Sequence, residues 1–347
     1  MKELITKLYN ENSLTKNELL QVVNYSLKDP SYLFEKAWQT SRESYGDSVY
    51  IRGLVEFSNY CKQNCKYCGI RKDNKKVERY HLNKEEILSC IDKGLELGFQ
   101  SFVLQSGEDF SFTASSLVDI IKSIKQRAPH SALALSIGER DYETYKMLSE
   151  AGGNRFLLRH ESSNAEIYQN MHPNMTFDNR VKCLKDLRKA GFNIGAGFLV
   201  GLPNQTIEDL ANDLIFLKEL KPEMVGLGPF ISHPDTPLKD FESGSLQITY
   251  VMLAMVRLLL PYSLIPATTA VSTLNKQGRT MAFRAGANVV MPNLSPDSVK
   301  KKYELYKNKA GLKDSSEKAL ESVKKVITEA GLVPDMGRGD PKKSKKL

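Results

Sequence analysis

Short apolar runs alternate with longer amphipathic segments along most of the chain. Eight short runs rich in apolar and β-branched residues are predicted to be strands: 49–57, 101–105, 132–137, 155–159, 193–200, 224–230, 265–270 and 288–291. Between them, apolar residues recur with helical period in 84–98, 115–127, 140–152, 177–191, 207–220 and 248–260. Several of these segments end in a glycine, as expected of a helix C-cap.

This alternation predicts the fold class. Repeated strand-helix units imply a parallel sheet, and eight units is the number at which such a sheet closes. We therefore predict an α/β protein with a complete (β/α)8 TIM-type barrel over 47–310. A helical extension (1–46) precedes it, and a C-terminal helix and basic tail (311–347) follow.

Composition narrows the cellular setting. The 347 residues are 41% hydrophobic and 26% charged, which is typical of a globular protein. The longest apolar run is interrupted by Arg257, Pro261 and Pro266, and the first 20 residues lack the apolar core of a signal peptide. We expect no membrane span.

The net charge of +8 includes the tail KKSKKL, so we expect a solvated tail rather than a nucleic-acid partner, although an anionic substrate remains an alternative.

Three cysteines follow the first predicted strand in a C-x3-C-x2-C pattern: Cys61, Cys65 and Cys68. An odd total of five cysteines without a secretion signal indicates metal binding in a reducing compartment, the cytoplasm, rather than disulfides. Three thiolates on one short loop suit a 4Fe-4S cubane with one iron left open. A zinc site completed by His81 or Cys90 is the alternative, and its spacing is poor. Cys90 and Cys183 lie in amphipathic helices, where buried thiols are expected.

The cysteine loop resembles that of the radical S-adenosylmethionine (SAM) superfamily, including the aromatic Tyr67 before the last cysteine. The resemblance implies reductive cleavage of SAM to a 5′-deoxyadenosyl radical. It also implies SAM-binding residues at the carboxyl ends of the strands, where TIM barrels carry their sites. The candidates are Tyr67, Ser106, Gly107, Glu108, Ser136, Glu161 and Arg180. Glu108 would bind the methionine amine, Glu161 the ribose and Arg180 the carboxylate. A surface ion pair or helix cap is the alternative for each.

Further strings resemble one family within the superfamily, the HydE maturases of iron-iron hydrogenases. They are EFSNYCKQNCKYCGIRKDN, LQSGED, LLRHE, GAGFLVGLPNQT, GLGPFISHPDTPL, IPATTA and GANVVMPNLSP, within residues 48–308. The resemblance implies assembly of the hydrogenase H-cluster from a cysteine-bound iron carbonyl cyanide complex. A second maturase would deliver this substrate and a scaffold GTPase would receive the product. Reduction would require an electron donor such as ferredoxin or flavodoxin.

Groups that bind such a substrate are expected inside the barrel. The candidates are Arg52, Gln105, Arg159, Thr268 and Thr269, and the alternative for Arg159 is a structural pair with Glu161 or Asp109.

Many HydE proteins hold a second cluster near the C-terminus. Here 306–326 contain no cysteine, so we predict one 4Fe-4S cluster. Methylornithine synthase, an amino-acid mutase, is the rival enzyme, and a non-catalytic iron-sulfur scaffold or electron carrier is the rival from another class.

Overall fold

The computed structural model describes residues 1–342, and its N-terminal part is helical. The helices are α1 (Lys2–Glu11), α2 (Lys16–Ser26) and α3 (Ser31–Tyr45). The predicted helical extension over 1–46 therefore contains three helices, and the third packs against later helices of the chain.

Strands and helices then alternate. The strands are β1 (Ser48–Ile51), β2 (Gly53–Ser58), β3 (Ser101–Ser106), β4 (Ala132–Ser136), β5 (Arg155–Leu157), β6 (Asn193–Ala196), β7 (Leu199–Val200), β8 (Met224–Val225), β9 (Gly228–Pro229), β10 (Val289–Val290) and β11 (Val333–Asp335). The remaining helices are α4 (Lys84–Glu96), α5 (Ala114–Arg127), α6 (Tyr142–Glu150), α7 (Ala165–Met171), α8 (Phe177–Lys189), α9 (Ile207–Leu220), α10 (Leu246–Leu259), α11 (Thr269–Leu274), α12 (Gly278–Arg284), α13 (Asp297–Lys300) and α14 (Ser316–Glu329).

Side-chain caps explain why several helices begin directly after a polar loop. Asn83 accepts a hydrogen bond from the Glu86 amide while the Glu86 carboxylate accepts one from the Asn83 amide, a capping box at the start of α4. Thr206 and Asp209 form the same arrangement at α9. Such caps satisfy amides that would otherwise lack partners in the first helical turn.

The strands form parallel ladders. Six of them pair in the order β2-β3-β4-β5-β6-β8, three in the order β10-β1-β11, and β7 pairs with β9. The buried residues of β2, β3 and β4 are in register, as in Val55 opposite Leu104 and Leu104 opposite Leu135. This confirms the predicted α/β class with a parallel sheet.

The seventh predicted strand, 265–270, is not a regular strand. It contributes only a single bridge, Pro266 with Val289, while neighbouring Leu264 bridges Met224. α11 begins at Thr269, so the two threonines of the predicted strand lie at a helix start instead. Pro266 lacks an amide N–H, and three residues later the chain turns helical, so a continuous ladder cannot extend here.

The most apolar helix is α10. Every residue from Thr249 to Leu259 in this helix is buried, which explains why its sequence is almost uniformly apolar. Within residues 1–342, no helix combines the length and the hydropathy needed to span a membrane.

The C-terminal segment returns to the barrel. The predicted C-terminal helix is α14, and after it β11 pairs with β1, with Val333 opposite Ser48. This strand was not expected from the sequence. Residues 343–347, which hold most of the predicted basic tail, lie outside the described residues.

Candidate active site

A cavity of about 370 Å³ opens at the carboxyl ends of the parallel strands. Its volume is in the range of small-molecule sites. The segments that follow β2, β3, β4 and β5 all contribute wall residues, so the fold brings together side chains far apart in sequence. This is the end of the sheet at which TIM-type barrels carry their chemistry.

The three predicted cluster ligands share one side of this cavity. Cys61, Cys65 and Cys68 all line it, and none forms a disulfide. The loop that carries them is held by its own backbone: the Cys68 amide donates to the Cys65 carbonyl at 3.3 Å, and the Arg71 amide donates to the Cys68 carbonyl at 3.1 Å. The thiols are therefore presented together by a compact turn.

The buried thiols of this loop suit a bound, positively charged metal centre. Burial raises the pKa of Cys68 to about 12 and that of Cys65 well above its usual range, and the neighbouring thiols add to both shifts. Three thiolates here need strong positive charge, which the irons of a cluster would supply. The amides of Gln63 and Glu108 donate to Cys61 Sγ at 3.4 and 3.3 Å, and hydrogen bonds to sulfur tune such clusters.

The alternative zinc site is not assembled. His81 Nε2 lies 3.0 Å from Asp109 Oδ2, and Cys90 is buried within α4. Across residues 1–342, no three His, Cys, Asp or Glu side chains converge as ligands of one metal ion would. A cubane imposes no such convergence, because each thiolate binds a different iron.

Gly107 allows the β3 loop to lie against the cysteine loop. A Cβ at this position would be 2.2 Å from the Tyr60 carbonyl oxygen and 2.8 Å from Cys61 Cβ, so only glycine fits. Its neighbours Ser106 and Glu108 also line the cavity, as does Ser136 at the end of β4. The structure thus places the predicted Ser106, Gly107, Glu108 and Ser136 beside the thiols.

The Glu108 carboxylate is held on both oxygens. Oε1 accepts from Gln63 Nε2 at 2.8 Å and lies 3.1 Å from Lys62 Nζ, while Oε2 accepts from the Glu139 amide at 3.0 Å. These contacts fix the carboxylate between the cysteine loop and the segment after β4, where it can accept from a ligand amine.

Glu161 and Arg159 form a pair on the cavity wall. Arg159 Nη2 donates to the Phe198 carbonyl at 2.7 Å and lies 3.0 Å from Glu161 Oε2, without hydrogen-bond geometry to that oxygen. The pairing with Glu161 is the structural alternative considered for Arg159, yet both side chains face the cavity. Glu161 has φ of 62°, an uncommon backbone conformation for a glutamate and one often found at functional sites.

Arg180 approaches the same wall from α8. Its Nε donates to Glu139 Oε1 at 2.7 Å and its Nη1 donates to the Arg159 carbonyl. The guanidinium is thereby fixed in orientation while it lines the cavity, as the predicted carboxylate-binding role requires.

Tyr67 is oriented by a histidine that sequence analysis missed. The His172 Nδ1–H donates to the Tyr168 carbonyl at 2.8 Å, so its Nε2 can accept from the Tyr67 hydroxyl, also at 2.8 Å. Burial, and then the nearby Arg180, lower the pKa of His172 to about 3, which keeps the ring neutral. A lone histidine in HPN carried no sequence signal for this role.

The other predicted substrate residues divide between two places. Gln105, Thr268 and Thr269 line the cavity, and Gln105 Nε2 donates to the Tyr303 hydroxyl at 3.3 Å. Thr268 Oγ1 is buried, and none of the described residues forms a hydrogen bond with it. The structure does not bring Arg52 to the cavity.

Arg52 lies at the opposite end of the barrel. It is 3% exposed, and its guanidinium contacts Met224 Sδ and the Gly339 carbonyl. Nearby, Arg155 at the start of β5 donates to the carbonyls of Arg338 and Gly339. The C-terminal segment therefore covers this end.

A second missed pair is Lys309 with Glu56. Lys309 Nζ lies 2.5 Å from Glu56 Oε1 and donates to the Tyr303 carbonyl at 2.9 Å. Asn293 Nδ2 donates to the other Glu56 oxygen at 2.7 Å. Both charged side chains are more than nine-tenths buried and line the cavity. The period-two pattern of β2 places Glu56 on the inner face with Leu54, a signal that could have identified it.

Lys309 belongs to a covering segment, residues 301–311, that crosses the cavity. The Gly69 amide, directly after Cys68, donates to the Leu305 carbonyl at 2.8 Å. On the far side, the Lys307 amide donates to the Ser232 carbonyl at 3.0 Å and the Ala310 amide to Thr273 Oγ1 at 3.0 Å. Tyr303 and Tyr306 of this segment line the cavity.

Comparisons with known proteins agree with this site. The model of the Radical SAM superfamily matches residues 55–217. The chain is 41% identical over 345 residues to "[FeFe] hydrogenase maturase subunit HydE" of Thermotoga maritima, covering 99% of this chain and 98% of that protein. It is 28% identical to 3-methylornithine synthase of Methanosarcina barkeri, over 84% and 83% of the two chains.

Among solved structures, the crystal structure of methylornithine synthase (PylB) superposes with a TM-score of 0.83 at 27% identity, over 96% of this chain and 97% of that one. The identity to HydE is higher and extends over both chains almost completely. The cysteine loop also lies within the residues matched by the superfamily model. On these grounds, the chain belongs to the HydE family of the radical SAM superfamily.

Proposed function

We propose that the chain assembles the H-cluster of iron-iron hydrogenase, acting on a small cysteine-bound iron complex that carries carbon monoxide and cyanide. The observation that carries this proposal is the 41% identity to a HydE maturase over 99% of the chain. The cavity supports it, because the cysteine loop and three cationic side chains, Arg159, Arg180 and Lys309, line one enclosed space.

A 4Fe-4S cluster on Cys61, Cys65 and Cys68 would supply the electron that cleaves SAM into methionine and the 5′-deoxyadenosyl radical. The chain's own residues bind and orient. Glu108, with Ser106, is positioned to accept from the SAM amine. Arg180, fixed by Glu139, suits the SAM carboxylate as a cationic donor, and Glu161 suits the ribose hydroxyls.

Gly107 and Ser136 complete the proposed SAM site by allowing close backbone approach and offering a hydroxyl. Tyr67, held by His172, packs beside the thiols. These assignments are supported by placement on one cavity wall, and each is open to substitution experiments.

Substrate binding is proposed for Arg159, Gln105, Thr268 and Thr269. Arg159 supplies a cation for a cyanide nitrogen or for carboxylate oxygens, and the unpartnered hydroxyl of Thr268 is a donor that a ligand would satisfy. Tyr303 and the covering segment exclude water from this end, which protects a radical from side reactions. Arg52 has no part in this proposal, because it lies at the other end of the barrel.

We further propose one cluster only, because the two remaining cysteines, Cys90 and Cys183, are separately buried in α4 and α8. Single bridges at Leu264 and Pro266, together with pairing of β1 and β10, support a complete (β/α)8 barrel within 47–310. The flanking 1–46 and 311–347 are then its extensions.

Cysteines that must remain thiols support the cytoplasm as location. The proposed partners are a maturase that delivers the iron complex, a scaffold GTPase that receives the product, and ferredoxin or flavodoxin as electron donor.

The first test is anaerobic reconstitution with iron and sulfide, followed by measurement of 5′-deoxyadenosine in the presence of SAM and dithionite. Cys65→Ala is expected to abolish the product, whereas Cys183→Ala, which alters a thiol outside the loop, is expected to retain it. Product formation by Cys65→Ala would contradict the assignment of the ligands.

The second candidate function, suggested by the TM-score of 0.83 to methylornithine synthase, is an amino-acid mutase. Activation of apo-hydrogenase by a maturation mixture that contains this chain would support the first function. Formation of 3-methylornithine from an amino-acid substrate, with no such activation, would favour the second.

A further inference from the structure

The cysteine loop carries a concentration of positive charge that is not explained by the cavity. Residues 60–79 contain seven Lys and Arg residues against two Asp and Glu, whereas the whole chain has a net charge of +8. A charge excess of this density on a short surface segment produces a strong local positive potential.

The loop has two faces. Its inner face presents Cys61, Cys65 and Cys68 to the cavity. Its outer face, which we call the outer loop face, is defined by the exposed Lys62, Lys72, Lys75 and Lys76.

The two faces are close together because the loop is compact. The Lys72 amide donates to the Gln63 carbonyl at 2.8 Å, and the Arg71 amide donates to the Cys68 carbonyl. The exposed lysines and the three thiols therefore belong to one short loop that is held by its own backbone hydrogen bonds.

Two of the seven cations, Lys72 and Lys75, form no ion pair within the described residues. Lys62 is paired with Glu108 and Lys76 with Asp235, at 3.1 and 2.7 Å. Within the described part of the chain, Lys72 and Lys75 have no carboxylate within ion-pair distance; the Lys75 ammonium reaches only the Lys72 carbonyl, at 3.5 Å. These two lysines are thus free to meet acidic groups of another molecule.

Exposed aromatic rings lie beside the outer loop face. Tyr60 is 43% exposed and Phe110 is 50% exposed, and few other large apolar side chains of the described residues are as open to solvent. Lys62 Nζ lies 3.7 Å from the Phe110 ring centroid, and the Arg140 guanidinium 4.0 Å from it. Aromatic residues and Arg are enriched at protein interfaces relative to the rest of the surface.

We infer that the outer loop face, with Tyr60 and Phe110, docks a small acidic one-electron carrier protein and brings its redox group to the back of the cysteine loop. The inference rests on the proposed radical SAM function, which requires one electron per SAM cleaved. A carrier with a neutral flavin hydroquinone would supply this electron and release one N–H proton to solvent as the flavin becomes a semiquinone. A cluster held by Cys61, Cys65 and Cys68 would accept the electron for SAM cleavage. Attraction between the lysines and acidic groups of the carrier would steer its association, and the Tyr60 and Phe110 rings would pack against its surface.

A basic face also suits nucleic acid, but two features favour a protein. The exposed Tyr60 and Phe110 offer the apolar contact that protein partners bury, and the lysines share one short loop with the cysteines, where an electron carrier has a chemical role and nucleic acid has none. Binding of an oligonucleotide is therefore treated as an outcome that would count against the inference.

The test compares two charge-matched double variants of the reconstituted enzyme. Lys72→Glu with Lys75→Glu changes the outer loop face, and Lys122→Glu with Lys146→Glu changes exposed lysines of α5 and α6 by the same total charge. Binding of oxidised acidic flavodoxin is measured by calorimetry at about 50 mM and about 300 mM salt. Wild type and the α5/α6 variant should bind alike, and the outer-loop variant about tenfold more weakly, with a smaller dependence on salt.

Two activity measurements distinguish a failure of the proposed radical SAM function from a failure of the proposed docking face. With dithionite as reductant, all three proteins should form 5′-deoxyadenosine at similar rates; with reduced flavodoxin, the outer-loop variant should be slower by a similar factor. Absence of product from wild type with dithionite would refute the radical SAM function itself. Equal flavodoxin binding by both double variants would overturn the docking face, as would preferential binding of an oligonucleotide at the same lysines.

If the outer-loop variant loses its iron, the salt dependence of flavodoxin binding by the wild type still tests whether exposed charges drive the docking. Its flavodoxin affinity should fall as salt rises from about 50 to about 300 mM, because exposed charges are screened over about 10 Å. Salt-independent binding would overturn the inference.

Discussion

His160 and Asp213 form a completely buried pair, with His160 Nε2 3.2 Å from Asp213 Oδ1. The Gly197 amide donates to His160 Nδ1 at 3.3 Å, so Nε2 carries the hydrogen and donates to the carboxylate. The histidine lies between Arg159 and Glu161 in sequence, and these two neighbours face the cavity. The pair therefore fixes the position of both cavity residues from behind.

We expect Asp213→Ala to lower the stability by about 1 to 3 kcal/mol, because it leaves the buried His160 N–H and the Ser163 amide without an acceptor. It should also raise the KM for SAM more than it lowers kcat, since Glu161 loses its fixed position. Asp186→Ala, which removes only the exposed pair with Lys182, is the control and should change stability by less than about 1 kcal/mol. Equal effects of the two substitutions would contradict this role.

Gly107→Ala should prevent stable cluster binding. The added Cβ would meet the Tyr60 carbonyl at 2.2 Å, and neither backbone segment can move without displacing Cys61. Gly226→Ala lies on the same cavity, where the nearest atom would be 3.7 Å away, and should be tolerated. Iron content after reconstitution is the measurement, and a full complement of iron in Gly107→Ala would show that the loops are less tightly joined than the structure indicates.

Lys309→Met should destabilise the protein by about 3 to 5 kcal/mol, because Glu56 would remain as a buried charge without its counter-ion. Adding Glu56→Leu should restore much of that loss. Lys302 lies on the same covering segment and pairs with the exposed Glu78. Lys302→Met should therefore lower the stability by less than about 1 kcal/mol. Denaturant unfolding measures all four proteins; failure of the double variant to recover would mean that Lys309 stabilises through its other contacts.

The low pKa of His172 makes stability depend on pH. In the unfolded chain the His172 ring has a pKa near 6.5, whereas in the folded protein it becomes protonated only near pH 3. Between these pH values the unfolded state binds one more proton than the folded state. Stability should therefore fall as pH decreases below 6.5, by about 2 kcal/mol at pH 5. His172→Gln removes the titrating group, so its unfolding midpoint should change less between pH 7.5 and 5. An identical pH dependence in wild type and variant would refute the assignment.

The sequence predicted the elements and the cysteine loop well, because both depend on local patterns. α9 was predicted at its observed bounds, 207–220, since a capping threonine precedes an uninterrupted apolar period. The strand at 265–270 was wrong for the opposite reason: a short apolar run with proline and two threonines fits a strand by composition, but here the chain turns into α11.

Arg52 shows what a pattern along one strand cannot supply. Alternation correctly assigns Arg52, Leu54 and Glu56 to one face, yet the cavity begins only at Leu54. The position of a side chain along the barrel axis depends on the neighbouring strands and on the C-terminal segment. A periodic pattern within one strand does not contain this information. For the same reason the partners of Tyr67 and Glu56, His172 and Lys309, came only from the structure.

The pairing of β11 with β1 has a consequence for synthesis. A nascent chain exposes Arg52 and Arg155 for almost the whole of translation, because the carbonyls that receive them come from residues 338 and 339. The ribosome therefore delivers the cysteine loop early and the floor of the barrel last. Until residues 338 and 339 are synthesised, the end of the barrel opposite the thiols lacks the carbonyls that cover Arg52 and Arg155.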